Sequence, residues 1–212
     1  MRLPLIHIAQ LSYTDIMNNI NRGNLIIPAF QRDYAWEEKQ IDEMFLDLQE
    51  GFKNKQGVLL GNIITITESD KIDYFLLDGQ QRIVTMNIIF TILKPLISVN
   101  GMLDKVLHTL DRRGITVTGD KLVRENASGG MSKKMFKYLE DKITTEILSQ
   151  ETWDERNGFL DFLLADVTLI HQSYISFDID ADTKNVLNYF YKFNTRGKPF
   201  SDEEKETIKN FI

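Results

Sequence analysis

Residues 78–82 read Asp-Gly-Gln-Gln-Arg and join the apolar run Phe75, Leu76, Leu77 to a helical pattern that starts at Ile83. A strand ending at Leu77 and a helix following Gly79 leave the first backbone N–H groups of that helix outside its own hydrogen bonding. Such a terminus attracts anions through its dipole and its outward-facing donors. Gly79 lets a ligand approach the backbone closely, and Gln80 and Gln81 add amide donors. Arg82 adds a planar fork suited to bidentate phosphate contact. Asp78 can hold a metal-bound water or cap the helix. Taken as an isolated string, the five residues fit a capped helix with solvated Gln and Arg equally well.

Two further polar islands favour binding. Gln31 and Arg32 in "IPAFQRDYAWEEKQ" lie between a short extended run and a helix, flanked by Phe30, Tyr34 and Trp36. Asn194, Arg196 and Lys198 surround Gly197 in "FNTRGKPFS". If the three loops meet, their four cationic groups suit a polyphosphate better than a neutral metabolite. Tyr34 and Trp36 fit either base stacking or a packed staple at a helix start. Asp178 and Asp180 end a strand pattern without metal-ligand spacing, and His7, His108 and His171 have none either. No residue is therefore assigned to a metal.

The elements that must position these loops are legible from periodicity. Ser12 or Thr14 caps a short helix reaching about Asn21, with Gly23 as its stop. "NLIIP" is a short extended run. In "WEEKQIDEMFLDLQEGF", Ile41, Met44, Phe45 and Leu48 recur at helical spacing, and Gly51 stands where a left-handed cap is wanted. "GVLLGNIITIT" and "DYFLL" flank a polar link and predict a hairpin or neighbouring strands of one sheet. From Ile83 to Leu93, eight of eleven residues are apolar, too many for one stripe, which predicts a helix central to the core. Residues 111–130 carry four of the twelve glycines and read as an excursion with a mobile tip.

Helical patterns resume near Ser132 and in "TWDERNGFLDFLLADV", where Phe159, Phe162 and Leu163 share a face. "TLIHQSYISFDID" predicts one more strand. "DTKNVLNYFYKF" predicts a helix, and "SDEEKETIKNFI" another, opened by a capping box from Ser201 to Glu204. That last pattern ends on Phe211 and Ile212 without a stop signal, so continuation into a longer protein is expected.

At 212 residues, 42% hydrophobic and 26% charged, the chain can bury a core without staples, and its lack of cysteine excludes disulfides and thiolate metal sites. No run approaches the ~18 apolar residues of a spanning helix, and the N-terminus is too short in its apolar part for a signal peptide. A cytoplasmic protein with no membrane partner is expected. The net charge of −6 argues against holding nucleic acid by bulk charge alone. The basic clusters "DRRG" and "MSKKMFKYLEDK" have acidic neighbours and read as solvated surface.

In this order, "IPAFQRDYAW", the "GNIITI" strand, "LLDGQQR" and "FNTRGKPFS" resemble the N-terminal module of GmrSD-type modification-dependent restriction enzymes, which belongs to the ParB and sulfiredoxin-like superfamily. The resemblance covers about residues 25–212. The fold expected is α+β: a ParB-like small mixed sheet with helices over residues 1–98, carrying the Gln-Arg and Asp-Gly-Gln-Gln-Arg motifs. A mainly helical extension follows over residues 99–212, with a late strand and the Asn-Thr-Arg-Gly motif of residues 194–197. The resemblance implies a nucleotide-binding, NTP-hydrolysing regulatory domain of a phage-defence system that acts on modified DNA.

Within that reading, Asp78 and Gln81 are the expected catalytic residues, with Gln80 or Gln81 orienting the attacking water and Asp78 holding it or the metal. Gln31, Arg32, Gly79, Gln80, Arg82, Asn194 and Arg196 are the expected nucleotide ligands, with an NTP of unassigned identity and Mg²⁺ as cofactors. Expected partners are the nucleotide, a C-terminal or separate nuclease domain, and modified DNA through the full assembly; a homo-oligomer is left open. Family members often continue into a His-Asn-His nuclease domain or act with a partner that supplies it. The three histidines here form no such site, so nuclease activity is not expected from these 212 residues. The alternative is a ParB-like DNA-binding or protein-interaction module without turnover.

Overall fold

The computed structural model describes residues 5–19, 25–27, 34–69, 74–93, 133–148 and 153–176. Strand β1 (Leu5–Ser12) leads into helix α1 (Tyr13–Asn19), and the Asp15 amide donates to Ser12 Oγ at 3.0 Å. Of the two cap candidates, Ser12 is therefore the cap. Thr14 instead donates its hydroxyl to the Leu164 carbonyl at 3.0 Å.

Helix α2 (Glu38–Asn54) buries the expected Ile41, Met44, Phe45 and Leu48. Its first turn is closed by the Glu37 amide, which donates to Gln40 Oε1 at 3.0 Å. The left-handed cap is Lys55, with φ 54°, and not Gly51 as its position suggested. Gly51 lies inside the helix for a packing reason. A Cβ there would run into Val58 Cγ2 and come within 3.1 Å of Phe162 Cζ, so only glycine lets α2 lie this close to its neighbours.

Strands β2 (Leu25–Ile26), β3 (Val58–Glu68), β4 (Tyr74–Asp78) and β5 (Val167–Ser176) join β1 in one mixed sheet, in the order β1-β5-β3-β4-β2. The pairs β1/β5 and β3/β4 are antiparallel, while β5/β3 and β4/β2 are parallel. The fold is thus α+β, and the neighbouring strands expected on either side of "ESDK" are present. The late strand enters between β1 and β3, and its alternation buries Val167, Leu169, His171 and Ser173. His171 Nε2 and Thr65 Oγ1 share a buried hydrogen bond of 2.9 Å that ties β5 to β3.

Helix α3 (Gln80–Leu93) is buried almost all round, as its apolar content requires. Helix α4 (Lys133–Ile143) packs against α3 and α2 and runs into a π-helical turn, Thr144–Leu148. Lys142 bridges Asp42 at 2.8 Å and Glu146 at 2.7 Å, which fastens α4 to α2. Helix α5 (Trp153–Ala165) turns Phe159 and Phe162 onto Phe52, with ring centroids 5.2 and 5.7 Å away.

A further polar pair is sealed inside this core. The Tyr13 hydroxyl donates to Asn87 Oδ1, both residues are fully buried, and the Tyr13 ring lies 5.2 Å from Phe90. Burial raises the Tyr13 pKa well above that of an ordinary phenol, so the hydroxyl stays a donor. Tyr13→Phe is expected to destabilise the fold by about 1–3 kcal/mol, because Asn87 Oδ1 then has no partner in an apolar site. Asn87 Nδ2 already has none among the described residues. The double variant Tyr13→Phe, Asn87→Leu should recover most of that loss in chemical denaturation.

Among the described residues no helix is long and apolar enough to cross a membrane. The glycine-rich excursion, the two helical patterns after residue 180, His108, Asp178 and Asp180 lie outside the described residues.

Candidate functional site

The junction between β4 and α3 owes its shape to one glycine. Asp78, half-buried, is the last residue of β4 and pairs with Ile64 of β3. Gly79 then takes φ +91°, and the first helical bond runs from the Ile83 amide to the Gly79 carbonyl at 3.1 Å. A Cβ on Gly79 would sit 2.5 Å from Ile63 Cγ2 and 3.0 Å from the Asn62 carbonyl oxygen. The start of α3 is therefore pressed against β3, with the amides of its first turn outside the helical ladder.

β3 is irregular where the helix meets it. Its register against β5 shifts between Leu59 and Asn62, and Gly61 lies in this interval with φ +110°. Arg82 lays its guanidinium over that glycine: Cζ and Nε would be 3.3 Å and Nη2 3.4 Å from a Gly61 Cβ. Arg82 Nη1 donates to the Asn62 carbonyl at 3.0 Å. One edge of the fork is thus held by the sheet, which orients the remaining donors. Gly61 and Asn62 were not singled out from sequence as site residues. A glycine inside a strand pattern is the signal that could have found them, since it marks a bulge or a close approach.

Gln80 is buried, with 4% of its surface exposed. Gln81 faces the segment that follows the first motif. Its Oε1 accepts from the Ala35 amide at 2.8 Å and from the Trp36 amide at 3.4 Å. One turn later, Thr85 Oγ1 lies 2.7 Å from the Tyr34 hydroxyl and donates to the Gln81 carbonyl at 2.8 Å. Burial pushes the Tyr34 pKa up. Tyr34 and Trp36 meet edge to face at 6.5 Å and are half-buried against the core. Both aromatics therefore pack, as the staple reading expected. Tyr34, Trp36, Lys134 and Met135 also line an open cavity of about 650 Å³, beside which Lys134 pairs with Glu38 at 3.0 Å.

The structure brings Asp78, Gly79, Gln80, Gln81 and Arg82 into one turn and sets residues 34–36 against it. Gln31 and Arg32, and Asn194, Thr195, Arg196 and Gly197 of the last motif, lie outside the described residues. Among the described residues no three His, Cys, Asp or Glu side chains gather as a metal cage. Mg²⁺ carried on nucleotide phosphates needs only one or two protein carboxylates, a requirement that Asp78 fits.

No curated protein matches the chain. A protein-family model, that of the GmrSD restriction endonuclease N-terminal domain, matches residues 13–212. On that match over nearly its whole length, the chain belongs to the family of GmrSD restriction endonuclease N-terminal domains.

Proposed function

We propose that the chain is a nucleotide-binding, NTP-hydrolysing regulatory domain of a modification-dependent restriction system used in phage defence, with a ParB-like sheet. The observation that supports this most is the turn at Gly79, where a helix terminus and an oriented guanidinium stand within four residues. A triphosphate laid on those amides gains from the helix dipole and from the arginine. Because the chain carries a net charge of −6, a local cradle of this kind matters more than bulk attraction.

Gly79, Gln80 and Arg82 hold the phosphates, joined by Gln31 and Arg32 from the first motif and by Asn194 and Arg196 from the last. Asp78 is the group for the attacking water or for Mg²⁺, which when bound neutralises charge on the phosphate oxygens. Hydrolysis consumes one water and yields a nucleoside diphosphate and phosphate. A nuclease domain, downstream or separate, and modified DNA are the partners this regulatory role serves.

Titrating ATP or GTP with Mg²⁺ into the purified domain, with phosphate release followed in parallel, tests the reading. Arg82→Ala is expected to weaken binding about tenfold or more, the scale of one charge-assisted hydrogen bond. Thermal unfolding of both proteins separates this from misfolding. Equal binding and turnover by the two proteins would overturn the proposal. A wild type that binds neither nucleotide would leave a protein-interaction module without turnover, which one observation favours: Leu5, Ile6 and Ile8 on edge strand β1 are all more than half exposed.

A further inference from the structure

We propose that Gln81 is a positioning residue, which fastens segment 34–36 to the first turn of α3, beside the phosphate cradle; the proposal rests on the nucleotide-binding reading above. A side-chain carbonyl oxygen offers two lone pairs. In Gln81 both are directed to backbone donors, the Ala35 amide at 2.8 Å and the Trp36 amide at 3.4 Å. That oxygen is therefore engaged by the chain and does not orient a water.

A relay reinforces the same joint. Thr85 directs its only hydroxyl proton to the Gln81 carbonyl, so in the contact between Tyr34 and Thr85 the tyrosine must be the donor. The raised Tyr34 pKa keeps that proton in place. Residue 81 is thus held at both ends, by its side chain and by its backbone carbonyl. Segment 34–36 has no regular secondary structure of its own, and these bonds, together with the packing of Tyr34 and Trp36 against the core, hold it in place.

Gln81→Ala and Gln81→Glu test this in the full chain. A carboxylate oxygen can accept the same two amides, and near a helix N-terminus its charge is favoured. In Gln81→Ala, hydrogen exchange at the Ala35 and Trp36 amides should accelerate about tenfold, the scale expected when two hydrogen bonds are lost. The KM for nucleotide should rise with kcat little changed, and Gln81→Glu should restore slow exchange. Unchanged exchange in Gln81→Ala would overturn the assignment. So would a Gln81→Glu variant that keeps slow exchange but loses kcat about a hundredfold, because the amide nitrogen would then act on the reacting groups. If the wild type binds no nucleotide, the nucleotide reading fails, and accelerated exchange in Gln81→Ala alone still supports the positioning role.

Discussion

Gly79→Ala is expected to lower the stability of the domain by about 3 kcal/mol, the combined scale of a left-handed backbone and an overpacked contact. Both penalties arise at one atom. At φ +91° an added Cβ is disfavoured whatever the surrounding space, and here the space is filled by Ile63 Cγ2 at 2.5 Å and the Asn62 carbonyl at 3.0 Å. The stiffer unfolded chain of the variant returns only about 0.4–1 kcal/mol. Relief requires α3 to lift from β3, which would also pull Arg82 off Gly61.

Gly158→Ala is the matched control. This glycine is inside α5, has no positive φ, and an added Cβ would find Phe52 at an ordinary 3.6 Å. It should be neutral or stabilise by up to about 1 kcal/mol. Chemical denaturation of the two variants reads both signs, and equal stabilities would show that the junction is not strained as described.

The second large effect is on pH. Burial, reinforced by the charge of the neighbouring His7, lowers the His171 pKa from 6.5 to about 4. In the unfolded chain the imidazole takes up a proton as the pH falls through 6.5, whereas in the fold it does so only near 4. Between these values the unfolded state binds more protons, so stability falls as the pH falls, by about 3 kcal/mol across the window. Above 6.5 both states are neutral and the contribution is flat.

Carboxylates also titrate in this range, so the variant His171→Gln provides the comparison. Its amide can still meet Thr65 Oγ1, which His171 Nε2 contacts at 2.9 Å. Denaturation midpoints from pH 7 to 4 should fall less steeply for the variant than for the wild type. Parallel slopes would mean that His171 charges within the fold as readily as in the unfolded chain.

How much of the site could be read from sequence depends on how local its causes are. Asp78 to Arg82 were legible because five consecutive residues at a strand-to-helix junction announce their own geometry. The partners of those residues were not. Gln81 meets amides at Ala35 and Trp36, and Arg82 meets the Asn62 carbonyl. Backbone groups exist at every position, so no residue type marks the ones a side chain will choose. The same holds for Gly51, where glycine suggested a cap, yet what an added Cβ would meet first is the Val58 side chain on β3.

By itself, the amino-acid sequence determined the alternation of strands and helices, the buried faces of α2 and α3, and the likeness to a restriction-system family. Periodicity, turn chemistry and motif order each act over a few residues and survive in one dimension. Only the tertiary structure decided that β5 enters between β1 and β3, that β3 bulges beneath Arg82, and that segment 34–36 docks on Gln81. These are contacts between segments far apart in the chain, selected by the shape and hydrogen-bonding needs of the assembled core rather than by any local preference.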